Sequence, residues 1–229
     1  MVSVVAVDGP AGSGKSSVCR GVATRLGYRY LDTGAMYRAM TWAVLKAGID
    51  PDDAAAVAAY ASRPLIASGT DPAAPTIKVD GTDVAEPVRD AAVTDAVSAV
   101  SAVPSVRERL VTIQRDQADH AVGAGIGIVV EGRDIGSVVL PAADLKIFLT
   151  ADAATRALRR AREQAGGAPV GEQSVSATEA ALSRRDAFDA GRAASPMTQA
   201  DDAVVVDTTD LTLAEVIDLV CELVLERAS

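Results

Sequence analysis

The sequence predicts an α/β fold, a five-stranded parallel sheet with helices on both faces, in a single domain over residues 1–229. Three observations predict it. Short apolar runs rich in Val and Ile alternate with longer helix-patterned stretches, as in sheets whose strands are buried on both faces. A Gly-rich turn joins the first run to the first helix. Polar turns follow the next two runs, where open α/β sheets place their ligands.

The elements follow in order. Val2 to Val7 reads as a buried strand, and Lys15 to Leu26 as a helix after the Gly-rich turn. Tyr28 to Leu31 is a second strand. Asp32 and Thr33 can cap a helix running to Lys46, which Gly48 and Pro51 end. An Ala-rich helix spans Asp53 to Ala61. From about residue 63 to 88 the texture changes: four prolines appear, and Ile77 to Val84 alternates around Asp80-Gly81, a hairpin signal. This predicts a small β-rich insertion. Helices return at Asp90 to Ala102 and at Ser105 to Ala121, the latter preceded by Pro104. Ile126 to Val130 and Leu145 to Leu149 are the third and fourth strands. Arg-rich Ala153 to Gln164 is a helix; Gly166, Gly167, Pro169 and Gly171 break it, and a second helix runs from Val175 to Arg192. Ala203 to Val206 is the fifth strand. Thr212 and Glu215 form a capping box for a last helix reaching Arg227.

Composition removes several function classes. Aromatic residues make up 3% of the chain and the net charge is −9, which argues against stacking on single-stranded nucleic acid and against non-specific DNA or RNA binding. Phosphate must then be held by local clusters of cation. All but four of the 22 basic residues are Arg, whose forked donors match phosphate and carboxylate. His120 is the sole histidine, and Cys19 and Cys221 stand far apart, so a zinc site or His-based triad is not expected. Two reduced thiols, no basic segment before the first apolar run and no long apolar stretch make a cytoplasmic protein with no membrane partner the expectation.

Gly9-Pro10-Ala11-Gly12-Ser13-Gly14-Lys15-Ser16 matches GxxxxGK[ST] between a strand and a helix, the setting of a phosphate-binding loop. Its backbone N–H groups can converge on phosphate oxygens at a helix N-terminus. Lys15 is placed to reach the β- and γ-phosphates, and the Ser16 hydroxyl to bind Mg²⁺. The motif implies ATP as donor and leaves the acceptor open. Asp32 to Arg38 follows the second strand; taken alone it reads equally as a capped helix with a surface Arg. Glu131-Gly132-Arg133-Asp134 follows the third strand, two carboxylates flanking an Arg where P-loop proteins hold their acidic Mg²⁺ group. Arg185, Asp189 and Arg192 share one helical face, and Arg156, Arg159, Arg160 and Arg162 line the preceding helix. A loose phosphoryl-transfer transition state spreads charge that such arginines can neutralise.

At these residues the chain resembles the bacterial cytidylate kinases of the nucleoside monophosphate kinase family. The resemblance spans nearly the whole length and rests on GPAGSGKSS, LDTGAMYR, the β-rich insertion, SAVPSVRERL, EGRDIG, KIFLTA and RRDAFDAGRAASPM. It implies an acceptor-binding region over about residues 33–105, containing the insertion, and a LID over about 152–184. It implies that Gly9 to Ser17 with Arg156 and Arg160 hold ATP, that Thr33 and Arg38 lie in the acceptor site, and that Arg133 and Arg192 are further phosphate ligands. Ser98, Arg107 and Asp134 look like the cytosine readers, with Ser101 one helical turn from Ser98; Arg185 and Asp189 look like the ribose contacts. Glu131 stands where many relatives carry Asp, and Ala187 and Phe188 where some carry charges.

The reaction this implies is direct in-line transfer from ATP to CMP or dCMP, with Lys15, Mg²⁺, Arg133 and Arg192 neutralising charge and no covalent intermediate. Cytosine presents an amino group where uracil has a carbonyl, and a carboxylate at Asp134 accepts from the first and repels the second. Two alternatives stay open: a kinase for UMP, AMP or a metabolite such as shikimate, and a nucleotide-binding switch without an acceptor. A monomer is expected, since the sequence shows no exposed apolar stripe.

Overall fold

The computed structural model describes residues 3–166, 168–191 and 197–228. Five strands, β1 (Val4–Asp8), β2 (Arg29–Asp32), β6 (Ile128–Glu131), β7 (Leu145–Thr150) and β8 (Val204–Asp207), form one parallel sheet in the order β2-β6-β1-β7-β8. A second, antiparallel sheet holds β3 (Ile66–Ser68), β4 (Ile77–Val79) and β5 (Thr82–Asp83).

The register fixes where the chemistry can be. Asp32 pairs with Glu131, Glu131 with Val7, and Asp8 with Phe148, so the carboxyl ends of four adjacent strands finish at one level. The chain leaves β1 for β2 at one edge, then returns through β6 before crossing to β7 and β8. The cleft beside β1 is therefore the switch point at which such sheets bind ligands.

One face of the sheet is covered by α2 (Thr33–Lys46) and α5 (Pro104–Gly123). Here Leu31, Met36, Met40, Leu110 and Ile128 are fully buried, each contributing about 1.5–3 kcal/mol of apolar burial. Ile66, Ile77, Val79, Val84 and Val88 join the same cluster, so the β-rich insertion shares α2's core. α3 (Ala54–Tyr60) and α4 (Ala91–Ala102) complete that side. The opposite face packs on α1 (Lys15–Leu26) and α8 (Leu213–Ala228) through Val18, Val22, Val216, Val220 and Val224. The remaining helices, α6 (Ala153–Gln164) and α7 (Glu172–Ala190), pair with each other. They bury only Ala157, Ala161, Leu182 and Asp189.

The expected hairpin is present. Asp80 and Gly81 both take positive φ, 50° and 79°, as a tight type I′ turn requires. The Asp80 carboxylate ties the turn down by accepting from Leu65 N at 2.8 Å. At the last helix, the Thr212 hydroxyl donates to Glu215 at 2.7 Å and accepts from Glu215 N at 3.3 Å. Several boundaries differ from expectation by one to three residues, among them the start of α7 at Glu172 and of β6 at Ile128. β1 continues through Asp8, because the side chain of that polar residue finds buried partners of its own. α7 stops at Ala190, where Gly191 is the cap residue, two residues short of Arg192.

Candidate active site

The Gly-rich turn folds as a phosphate-binding loop because β1 delivers it against β7. Gly9 has φ 143°, and a Cβ there would lie 2.0 Å from Leu149 O, so only glycine fits. Lys15 is the first residue of α1 and is buried; its ammonium donates to Pro10 O at 2.7 Å and to Ser13 Oγ at 3.4 Å. Burial, and secondarily the nearby Arg133 charge, push its pKa down to about 7 against the pull of Glu131 and Asp8. Ser13 is buried, whereas Ser16 and Ser17 are exposed on the first turn of α1. The loop is also gripped from α6 and α7: Arg156 donates to Ala11 O at 3.0 Å and to Asp186, and Asp186 accepts from Ala11 N at 3.3 Å.

Glu131, at the end of β6, faces this loop. It accepts from Ser16 Oγ at 3.1 Å and from the Tyr30 hydroxyl, while its carbonyl accepts from Thr33 Oγ1 at 2.7 Å. Burial and the neighbouring Asp32 push its carboxyl up to about 7, opposed by Lys15 and by the bonds from Tyr30 and Ser16. The Ser16 hydroxyl and the Glu131 carboxylate form a pair of hard oxygen donors of the kind that shares Mg²⁺ with phosphate oxygens and water. Among the described residues no three or more His, Cys, Asp or Glu side chains form a metal cage. The set therefore fits a metal held jointly with a nucleotide, not one held by protein alone.

Four arginines from four elements, Arg38, Arg133, Arg160 and Arg185, lie within one another's field beside the loop. Arg38 of α2 donates to Val88 O at 3.0 Å and Thr94 Oγ1 at 2.9 Å. Arg133, just after β6, donates to Asp189 at 3.2 Å and Gly9 O at 3.1 Å. Burial, with the charges of Arg160, Arg89 and Arg133, lowers Arg38 to about 10. Burial, with those of Arg133, Arg38 and Arg160, lowers Arg185 to about 10. Arg185 Nε is buried without a hydrogen-bond partner among the described residues. Guanidinium groups that stay charged while depressing one another mark a strongly positive pocket in a chain of net charge −9.

Beside this cluster a buried ion pair joins Arg107 of α5 to Asp134; both side chains are 6% exposed. Arg107 also donates to Ser101 O at 3.4 Å and lies 5.4 Å from the Tyr37 ring centroid. Ser98 is half-buried, its carbonyl accepting from Ser101 Oγ at 3.0 Å. Ala187 and Phe188 are exposed on α7 while Asp189 is buried, so the unusual residues between the ribose-type positions point away from the site.

The structure thus brings together the loop, Thr33, Arg38, Arg107, Arg133, Asp134, Arg185 and Asp189. It sorts the α6 arginines: Arg156 is on the loop, Arg160 is in the field of Arg38 and Arg185, and Arg159 donates to Thr208 Oγ1 and O at 2.8 and 2.7 Å. Arg162 is exposed. Arg192 lies outside the described residues. Sequence reasoning missed Asp8, Tyr30 and Asp186. Asp8 had a signal, a charge closing an apolar run before the Gly-rich turn; for Tyr30 and Asp186 the partners are distant in sequence and no local pattern marks them.

The family model described as cytidylate kinase matches residues 5–226. A protein named cytidylate kinase from Streptomyces avermitilis is 57% identical over 224 residues, covering 98% of this chain and 93% of that protein. Proteins of the same name from Nocardia farcinica and Mycolicibacterium paratuberculosis are 54% and 53% identical, covering 99% and 98% of this chain and 95% and 96% of theirs. With a phosphate-binding loop at a sheet switch point and a cluster of arginines beside it, the chain belongs to the cytidylate kinase family.

Proposed function

We propose that the chain transfers the γ-phosphoryl group of ATP to CMP and dCMP, giving CDP and dCDP. The observation that carries the acceptor assignment is the buried Arg107–Asp134 pair lying beside four arginines within one another's field. The arginines suit a phosphate monoester, and the pair suits a base with an amino donor next to acceptors.

The residues divide the work. Gly9 to Ser17 hold the donor phosphates, with Lys15 neutralising the bridging charge and Arg156 and Arg160 closing over them from α6. Arg38, Arg133 and Arg192 hold the acceptor phosphate in line, Arg133 and Arg192 also countering charge as it develops, and Arg185 contacts the ribose. Thr33 and Asp189 orient the acceptor and ribose, and Ser98, Arg107 and Asp134 read the base. The acceptor is already an anion, so no general base is needed. Mg²⁺, held by Ser16 and Glu131 together with the phosphates, supplies further charge neutralisation when bound.

Residues 33–105 close on the acceptor as a unit with α2, since the insertion shares α2's core. Residues 152–184 act as a LID that excludes water. The protein works in the cytoplasm as a monomer. Of its exposed large apolar residues, Leu65, Val122 and Phe188 stand apart, and Val204, Val205, Leu213, Leu219 and Leu225 lie on β8 and α8. No described helix is long and apolar enough to cross a membrane.

Replacing Asp134 with Ala should erase the preference for CMP over UMP, a loss of about 10–100-fold in selectivity from one base-reading group. Steady-state kinetics with both nucleotides measures it. Selectivity that survives the change removes the base-reading assignment.

A further inference from the structure

The carboxylate of Asp8 has no part in the chemistry above, yet it occupies the junction between the two halves of the site. It ends β1, directly before the first glycine of the phosphate-binding loop. It is 4% exposed. One oxygen accepts from Ile135 N and the other from Gly136 N, both at 2.8 Å. Those two N–H groups open the short π-helical turn Ile135–Val139, whose preceding residue is Asp134. Asp134 has φ −146° and ψ 26°, neither helical nor extended, and its side chain does not cap the turn.

Further bonds fasten the same turn to the same strand end. Gly132 N donates to Val7 O at 3.0 Å, and Arg133 donates to Gly9 O at 3.1 Å. Residues 132–136 are thus stitched to residues 7–9 from both sides of Asp134. Of these bonds to residues 7–9, those of Asp8 are the ones on its far side; Arg115 holds the other end of the turn by donating to Val138 O and Val139 O at 2.9 and 2.8 Å, and Arg107 pairs with the Asp134 side chain.

A carboxylate is a costly group to bury there. Burial itself raises Asp8 to about 6, and the Asp134 charge adds to this, while the two N–H bonds and Lys15 act the other way. A two-oxygen, acceptor-only group is, however, what two parallel N–H donors need; an amide offers one acceptor and turns donors toward the other N–H.

We propose that Asp8 is a positioning residue for acceptor selection: by clasping the Ile135 and Gly136 amides it aims Asp134 at the base, and so couples the donor loop to the base reader. This rests on the base-reading role of Asp134. Both oxygens of Asp8 are taken up by these two amides.

The test is a double-mutant cycle in acceptor kinetics, with Asp8→Asn, Asp134→Ala and the double variant compared with the parent chain. Asp8→Asn should lower the CMP-over-UMP ratio of kcat/KM by about tenfold, the usual worth of a bond to a charged group, through a raised KM for CMP. The KM for ATP should stay within about twofold, and in the Asp134→Ala background Asp8→Asn should change the ratio by less than about twofold. If the Asn chain does not fold, Asp8→Glu carries the same test, since one methylene displaces the turn while keeping the charge. Three results overturn the proposal: unchanged selectivity, equal rises in both KM values, or an effect that persists without Asp134. Should Asp134→Ala alone keep full selectivity, the base-reading assignment fails and this proposal falls with it, whatever Asp8→Asn does.

Discussion

At the scale of single residues, the site is a store of unfavourable electrostatics held for a ligand. Arg185 is half-buried, lacks a partner for Nε and is crowded by Arg133, Arg38 and Arg160. Removing such a cation relieves repulsion and desolvation together. Arg185→Ala should therefore leave the ligand-free melting temperature equal or higher while lowering kcat/KM for CMP by about a hundredfold, as loss of a charged substrate contact does. A falling melting temperature would show that Arg185 is structural. Glu131 makes a parallel case with a pH signature. Its carboxyl is raised in the folded state, so its stabilising contribution is present below the unfolded value of 4.5 and is lost as pH rises through about 7. Glu131→Gln should raise the ligand-free melting temperature by about 2–6 °C at pH 8, with the gain gone by pH 5, where Glu131 is itself neutral. Thermal scans at the two pH values decide it; an equal shift at both contradicts the assignment. What was legible at this scale followed from chain order. Gly9 to Ser16 form a local motif, and Arg133 and Asp134 sit at a strand end whose neighbours can be inferred. Tyr30, Asp186 and the clasp by Asp8 depend on partners set by the register of β1, β2 and β6 and by the return of α7, which no single segment encodes.

At the scale of elements, periodicity and turn chemistry located each helix and strand of the large sheet, because apolar runs and caps are local facts. β3 was not resolved within the insertion. It is three residues long beside Pro64, and it becomes a strand only by pairing with β4. The end of α7 was misplaced because the pattern of Arg185, Asp189 and Arg192 continues past Gly191, where the backbone departs. The two Arg-rich helices also differ in kind from the rest. α6 and α7 bury two residues each, whereas α2 buries seven. Few buried contacts mean local opening at low free energy. Amide hydrogen exchange should be fast in α6 and α7 relative to β1 and β6, and should slow in both helices when ATP and CMP are bound. Protection of α6 and α7 equal to the sheet in the ligand-free protein would rule out a mobile LID.

At the scale of the whole molecule, a donor half and an acceptor half meet on β1 and β6. α1, which the phosphate-binding loop leads into, belongs to one buried cluster with α8; α2, α5 and the insertion belong to the other. The switch point between them lets both substrates reach one level above the sheet, where Asp8, Asp32 and Glu131 end their strands. A net charge of −9 over the whole chain, with arginines crowded at one place, suits a molecule that repels polyanions and can hold small ones locally. The fold class was legible from pattern and the donor from one motif, whereas the acceptor needed residues scattered from Arg38 to Asp189 to be seen together. One measurement addresses the result directly: the initial rate of ADP formation from ATP with CMP, dCMP, UMP and AMP side by side, against a control without acceptor. The predicted result is rapid ADP formation with CMP and dCMP, a rate with UMP lower by about tenfold or more, in line with one amino-for-carbonyl change, and near-background rates with AMP or no acceptor. ADP released at the same rate with and without CMP would contradict it.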